Sequence, residues 1–370
     1  MENRTRVALY PMFADTIPVA RYFLKYRHDV EVVELIAPKG SCVCGKDASF
    51  LDNRESLGLI VQSFDQAHVD SWDVLYMMHH DTIGLDEEAL QHAVYDPMIK
   101  IAKAAEKRII GYPFSDNTWK RDVDDWERSI SGSEKNTLKK HGTIKQIKTF
   151  LVFVGGVIAE ANAFEIMLGL YGELKKNNRV IAFSSSMNAE VCGTVSIRDL
   201  LYTKKLTDEQ KVIAIEKQIN QISKKEKADI ILLQLDEPLL PFSDTLTSGY
   251  GIIPYIVSQV IIPDYCICCL PYSYVNPTFI QQFEQGLDGR FAFVPDRWHM
   301  SNAVLDYTTV TSIRDAGAIH VPITWINGVL QAARENGINV GCDVLPEYLF
   351  EEVESIQSTL RDNQIVTSIL

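Results

Sequence analysis

The chain has 370 residues, 46% of them hydrophobic and 23% charged, which is the composition of a folded protein with more length than one core usually uses. Its net charge of −13 removes the broad basic footprint that nucleic acid requires, and no run of about 18 apolar residues offers a membrane span. The N-terminal apolar run, Val7 to Met12, is too short for a secretory signal, so a cytoplasmic chain is expected.

The first 115 residues alternate between strand and helix patterns. Val7 to Pro11 reads as a strand. Asp15 then caps a helix over Thr16 to Tyr26, in which Val19, Tyr22, Phe23 and Tyr26 recur at helical spacing. Asp29 to Ala37 and Trp72 to Met78 read as buried strands, the second ending at His79-His80-Asp81. Asp86 opens a long helix to about Lys107, and Arg108 to Tyr112 closes the unit as a strand. Strands separated by helices predict a parallel sheet with right-handed crossovers. Between Ser115 and Lys148 the apolar spacing fades and charges crowd, which predicts a charged linker or helix over 116–148. The basic run Lys135 to Lys148 belongs to it and reads as a solvated face.

The second unit, 149–370, begins with a strand to Val154 and the glycine turn Gly155-Gly156. Phe164, Met167, Leu168, Tyr171 and Leu174 then line a helix. Arg179 to Ser185 is the next strand, and Thr207 to Gln210 has capping-box form and starts a helix to about Lys225. Ala228 to Leu235 is a central strand delivering Asp236 and Glu237 at its end. Ile261 to Leu270 is another strand, Phe291 to Val294 and Ala318 to Val321 are short ones, and Thr324 to Asn336 and Pro346 to Leu360 are helices.

Residues just after strands hold the functional groups of parallel sheets. The Gly155/Gly156 turn has the strand, tight turn and helix start of a phosphate-binding loop, but with Gly156 as first glycine, Ala161, Asn162 and Ala163 stand where Gly, Lys and Ser/Thr belong. Backbone N–H groups at the helix start could still take an anion. Glu160 and Glu165 would compete with one there. Asp236 and Glu237 occupy the position from which strand-end acids hold Mg²⁺ and order an attacking water. Ser184 and Ser185 open a small polar stretch that either lines a ligand cleft or turns the chain. A distant Lys46 or Arg297 could replace the missing cation. ATP with Mg²⁺ is the cofactor this arrangement points to, with no cofactor as the alternative.

Seven cysteines in an intracellular chain argue for thiols or ligands over disulfides. A metal set could draw on Cys42, Cys44, His79 and His80, although Cys42-Val-Cys44 lacks the C-x-x-C spacing. The strand around Cys266, Cys268 and Cys269 uses cysteine as a small buried hydrophobe. Val7 to Ala14 contains no glycine, so a dinucleotide fingerprint is absent, as are a G-x-S-x-G elbow, an H-E-x-x-H helix and the kinase motifs.

Tyr10-Pro11, Pro38-Lys-Gly40 with Gly45 to Ala48, the Gly155/Gly156 loop running into Phe164-Glu165, Gln234 to Pro238, and Pro263-Asp264-Tyr265 together resemble the clostridial peptide maturation system proteins. These are encoded with ribosomally made, cysteine-rich peptides. The second unit also resembles the dethiobiotin-synthetase branch of P-loop proteins, which implies ATP chemistry in relatives that keep the lysine. The expected fold is therefore α/β: a Rossmann/flavodoxin-like N-terminal unit and a P-loop-derived C-terminal unit. The resemblance implies an accessory protein that binds a precursor peptide, a peptide-modifying enzyme or a nucleotide with little or no hydrolysis, alone or in a homo- or hetero-oligomer. The alternatives are an ATP-dependent ligase or kinase-type enzyme using Asp236 and Glu237 with Mg²⁺, and a thiol- or metal-dependent modifying enzyme.

Overall fold

The computed structural model describes residues 4–80, 87–112, 147–243, 247–291, 293–306, 317–342 and 346–369. The stretch read as a linker lies outside these residues up to position 146, as does Asp81.

The fold is α/β with two parallel sheets. The first contains β1 (Thr5–Tyr10), β2 (Val30–Ala37), β3 (Val61–Ser63), β4 (Val74–Met77) and β5 (Arg108–Gly111), in the order β3-β2-β1-β4-β5. Apolar side chains on both faces of β1 explain its continuous hydrophobic run. Val7 and Leu9 join the core shared with the second sheet, while Ala8 and Tyr10 join Trp72, Leu75, Tyr95 and Met98 in a separate cluster on the other face. Ile36, Met77, Leu90, Val94, Ile99 and Ala102 complete that second cluster.

The second sheet runs β14-β11-β10-β6-β9-β7-β8, every neighbouring pair parallel. Its members are β6 (Phe150–Gly156), β7 (Val180–Ser184), β8 (Val195–Ser196), β9 (Ile230–Pro238), β10 (Tyr265–Pro271), β11 (Arg297–Ser301) and β14 (Val340–Cys342). Central β6 and β10 are buried along their whole length, Cys266, Cys268 and Cys269 included. Burial pushes the Cys266 and Cys268 thiols up, which suits inert packing and not ligation.

Three elements depart from the sequence pattern. The long helix expected from Asp86 is continuous over its described part but not α-helical throughout: Glu87–Leu90 and Asp96–Ala104 are α-helical, and Gln91–Tyr95 forms a π segment between them. Pro97 lies just beyond that segment, and a proline lacks the N–H that a continuous α-helix would use. Phe291 ends the helix Pro277–Phe291 and starts no strand, because it continues the buried helical series Ile280, Phe283, Leu287. β13 (Gly317–His320) pairs antiparallel with β12 (Ala303–Asp306) and stands outside the seven-stranded sheet.

The helix Ile17–Tyr26 packs on the helix Ala163–Leu174, joining the two units. Tyr22 and Tyr171 stack with centroids 6.4 Å apart, and a Cβ on Gly172 would lie 2.4 Å from the Tyr26 ring, so only glycine permits the approach.

Candidate functional site

The glycine turn of the second sheet is tied closely to its neighbours. The Val157 N–H donates to the Cys269 carbonyl at 2.9 Å, and the Ala161 N–H donates to the Ile158 carbonyl at 3.3 Å. A Cβ on Gly156 would meet the Ile158 carbonyl at 2.7 Å and the Ala161 Cβ at 3.3 Å, and one on Gly155 would meet Leu239 at 2.8 Å. Both glycines are therefore explained by packing. Val157 and Ile158 bury their side chains in the core, as does Ala163 at the helix start. Asn162, at the lysine position of a phosphate loop, takes the left-handed conformation with φ 65° and precedes the helix Ala163–Leu174.

Asp236 and Glu237 lie inside β9, not after it. Val154 pairs with Gln234 and Gly156 with Pro238, so Leu235, Asp236 and Glu237 bulge opposite Gly155 alone. Ser185 holds this bulge: its Oγ accepts from the Asp236 N–H at 2.8 Å and donates to Glu237 Oε2 at 3.2 Å. Ser184 Oγ donates to Gln234 Oε1 at 2.5 Å, and Gln234 Nε2 donates to Asp236 Oδ1 at 2.9 Å. Burial raises the Glu237 carboxyl, opposed by the charge of Arg198 and by the Ser185 bond. Gly155, Gly156, Ser184, Ser185, Asp236 and Glu237 thus converge at one edge.

The sequence pattern gave no signal for Arg54, which reaches this edge from the first unit. Its Nη1 meets Glu165 Oε1 at 2.6 Å and its Nη2 donates to Asn302 Oδ1 at 3.3 Å, with the Arg54 side chain 5% exposed. Asp52 lies 3.8 Å from Arg54 Nε and takes a two-pronged bond from Arg21 at 2.6 and 2.9 Å. Asn302 Nδ2 donates to the Asp52 and Val321 carbonyls. Glu165 does not merely complement its helix dipole; it anchors a buried cation at the first turn of the glycine-loop helix.

Of the two distant cations considered from sequence, Lys46 shares a cavity with Arg54. Lys46 stacks over the Phe50 ring at 3.5 Å. Arg297 stands on β11, two strands from β6 and level in register with Val154, and its guanidinium is taken up by Glu351 at 2.9 Å and Glu352 at 2.7 Å. Burial pushes the Glu352 carboxyl up to about 7 against the pull of Arg297.

Cys42 is exposed in the connection after β2, and Cys44 points its thiol at the Pro38 carbonyl 3.7 Å away, with burial raising it. His79 and His80 follow β4. The His79 backbone exchanges two bonds with the Asn188 side chain, at 2.7 and 3.0 Å. His80 Nδ1 lies 2.7 Å from Asp15 Oδ1. Among the described residues no group of three or more His, Cys, Asp or Glu could hold a metal, so Cys42, Cys44, His79 and His80 do not converge there. No described helix is long and apolar enough to cross a membrane.

No family model matches the chain, and no curated protein matches it. A DUF1611 family protein from Anabaena variabilis is similar in structure, with a TM-score of 0.52 at 12% identity over 94% of this chain and 100% of that one. Identity this low speaks for the fold alone. A plasmid partition protein from Borrelia burgdorferi bound to AMPPNP (TM-score 0.32, 10% identity, 59% of this chain and 100% of that one) and a GTPase from Pyrococcus abyssi (0.31, 10%, 58% and 98%) are more remote, too remote to carry an argument.

Proposed function

We propose that this chain is an accessory protein of ribosomal peptide maturation that binds a precursor peptide, a partner enzyme or a nucleotide at the junction of its two units, with little or no phosphoryl transfer. The observation that carries the second half is the glycine loop itself. Phosphoryl transfer needs positioned positive charge and free backbone N–H groups around the terminal phosphates. Here the Val157 and Ala161 N–H groups are turned inward, Asn162 and Ala163 replace the lysine and hydroxyl, and the cations at these strand ends are engaged, Arg54 by Glu165 and Arg198 by the Ser185 carbonyl at 3.1 Å. Asp236 is bound to Gln234 and its bulge is held by Ser185, an arrangement that stabilises the strand end as it stands.

The peptide-maturation context rests on the motif resemblance. Its test is affinity capture with the tagged full chain from cells expressing a neighbouring precursor peptide and its modifying enzyme. Stoichiometric recovery of either supports the assignment, and recovery of neither at saturating expression contradicts it. Calorimetric titration with ATP and Mg²⁺ separates a nucleotide ligand from a polypeptide one.

The rival reading, an ATP-dependent ligase or kinase-type enzyme, has one observation in its favour: Arg54 could release Glu165 and turn to a phosphate. That exchange would leave Glu165 near the incoming anion, which weighs against it.

A further inference from the structure

Parallel sheets open a ligand crevice where strand order reverses, because the crossovers leave in opposite directions there. In the first sheet this point lies between β1 and β4: β2 and β3 extend to one side, β4 and β5 to the other. Phe13 and Asp15 follow β1, and His80 follows β4.

Three contacts hold His80 there. Its Nδ1 meets Asp15 Oδ1 at 2.7 Å, its ring stacks on Phe13 with centroids 3.7 Å apart and planes 14° from parallel, and its backbone N–H donates to the Tyr95 hydroxyl at 2.9 Å. Tyr95 is fixed in turn by donating to the Met78 carbonyl at 3.2 Å. Nε2 of His80 has no partner among the described residues, and the side chain keeps 13% of its exposure. Two other histidines face acids: His68 meets Glu34 at 3.1 Å and His92 meets Asp96 at 2.7 Å. Their side chains are 74% and 67% exposed, where water competes for the pair and mobility erases its geometry.

We propose that His80 and Asp15 form a reactive centre, in which His80 Nε2 accepts a proton from the hydroxyl or amine of a small neutral or cationic ligand. Asp15 is the positioning residue. By taking the Nδ1 proton in a hydrogen bond it leaves the Nε2 lone pair as the acceptor, and it stabilises the imidazolium once formed. The proton passes from the ligand's O–H or N–H to Nε2, leaving the ligand's conjugate base beside an imidazolium–carboxylate pair, and returns by the reverse step. The Asp15 charge disfavours an anionic ligand at the same place. The proposal uses no part of the glycine loop, so its failure and that of the accessory-protein assignment are distinguishable.

The test is acylation of the full chain by diethyl pyrocarbonate, mapped by mass spectrometry. Nε2 attacks a carbonyl carbon of the probe, ethyl carbonate leaves, and the Nδ1 proton passes by way of Asp15 to water. His80 is expected to be carbethoxylated, at a rate about tenfold lower in Asp15→Asn, as befits the loss of one charge-assisted bond, and restored in Asp15→Glu. Asp96→Asn should change the His92 rate by less than about twofold, since that pair is exposed. An unmodified wild-type His80, or an Asp15→Asn rate equal to wild type, overturns the proposal. Nitrogen-15 NMR of the wild type decides independently of any variant: in the neutral ring a proton on Nδ1 supports the centre, and one on Nε2 refutes it.

Discussion

The strand ends of the two sheets are topologically equivalent places for a ligand, yet their side chains treat them differently. At β6 and β9 the polar groups are satisfied from within: Val157 by Cys269, the Asp236 backbone by Ser185, Glu165 by Arg54. At β1 and β4 one ring nitrogen of His80 is oriented by Asp15 and the other has no partner among the described residues. Parallel topology supplies the crevice, while the side chains decide whether it is packed shut or kept for chemistry.

The largest effect should come from the buried ion cluster. Arg54→Ala is expected to cost about 3 kcal/mol or more in urea unfolding, because Glu165 would lose its cation in a poorly hydrated site. His80→Gln at the other crevice should cost about 1 kcal/mol, the range of a single lost hydrogen bond. Equal costs would erase the contrast between a packed site and an open one. Next, Gly156→Ala should destabilise by about 1–3 kcal/mol, since its Cβ would press on the Ile158 carbonyl at 2.7 Å. A silent substitution, read by thermal unfolding, would mean the loop has room for a ligand after all. Asn188→Ala removes two bonds to the His79 backbone and should cost about 1–2 kcal/mol, with increased hydrogen exchange at the end of β4 as its local signature.

The smallest effect concerns pH. Burial raises the Glu237 carboxyl in the folded state, so its stabilising contribution is present below the unfolded pKa and is lost as pH rises through the folded value. Glu237→Gln should therefore flatten the decline of melting temperature across that window. A steeper decline in the variant would show that the ionised form is the one the fold favours.

Much of the architecture could be read from residue order because it rests on local patterns. The capping box at Thr207 forms as expected, with Thr207 Oγ1 accepting from the Gln210 N–H at 3.3 Å. The apolar strands of both sheets and the helix at Ile17–Tyr26 followed from apolar spacing, although Asp15 does not cap that helix: it starts after Thr16 with no side-chain cap bond, and Asp15 meets His80 instead. Short strands such as β3 and β14, three residues each, carry too few positions for periodicity to register. The pairing of Arg54 with Asn302 was illegible for another reason. The two residues are 248 positions apart and meet only in the folded chain, so no spacing announces them. The pairing of Asp15 with His80, 65 residues away, was hidden in the same way, although His80 itself was picked out by its place after a strand.

The measurement that bears most directly on the packed glycine loop is phosphate release from ATP with Mg²⁺, in the wild type and in Asp236→Asn. No release above the buffer rate is expected in either protein, because Asn162 and Ala163 stand where the lysine and hydroxyl belong and Arg54 is held by Glu165. Steady turnover by the wild type that Asp236→Asn abolishes would contradict it.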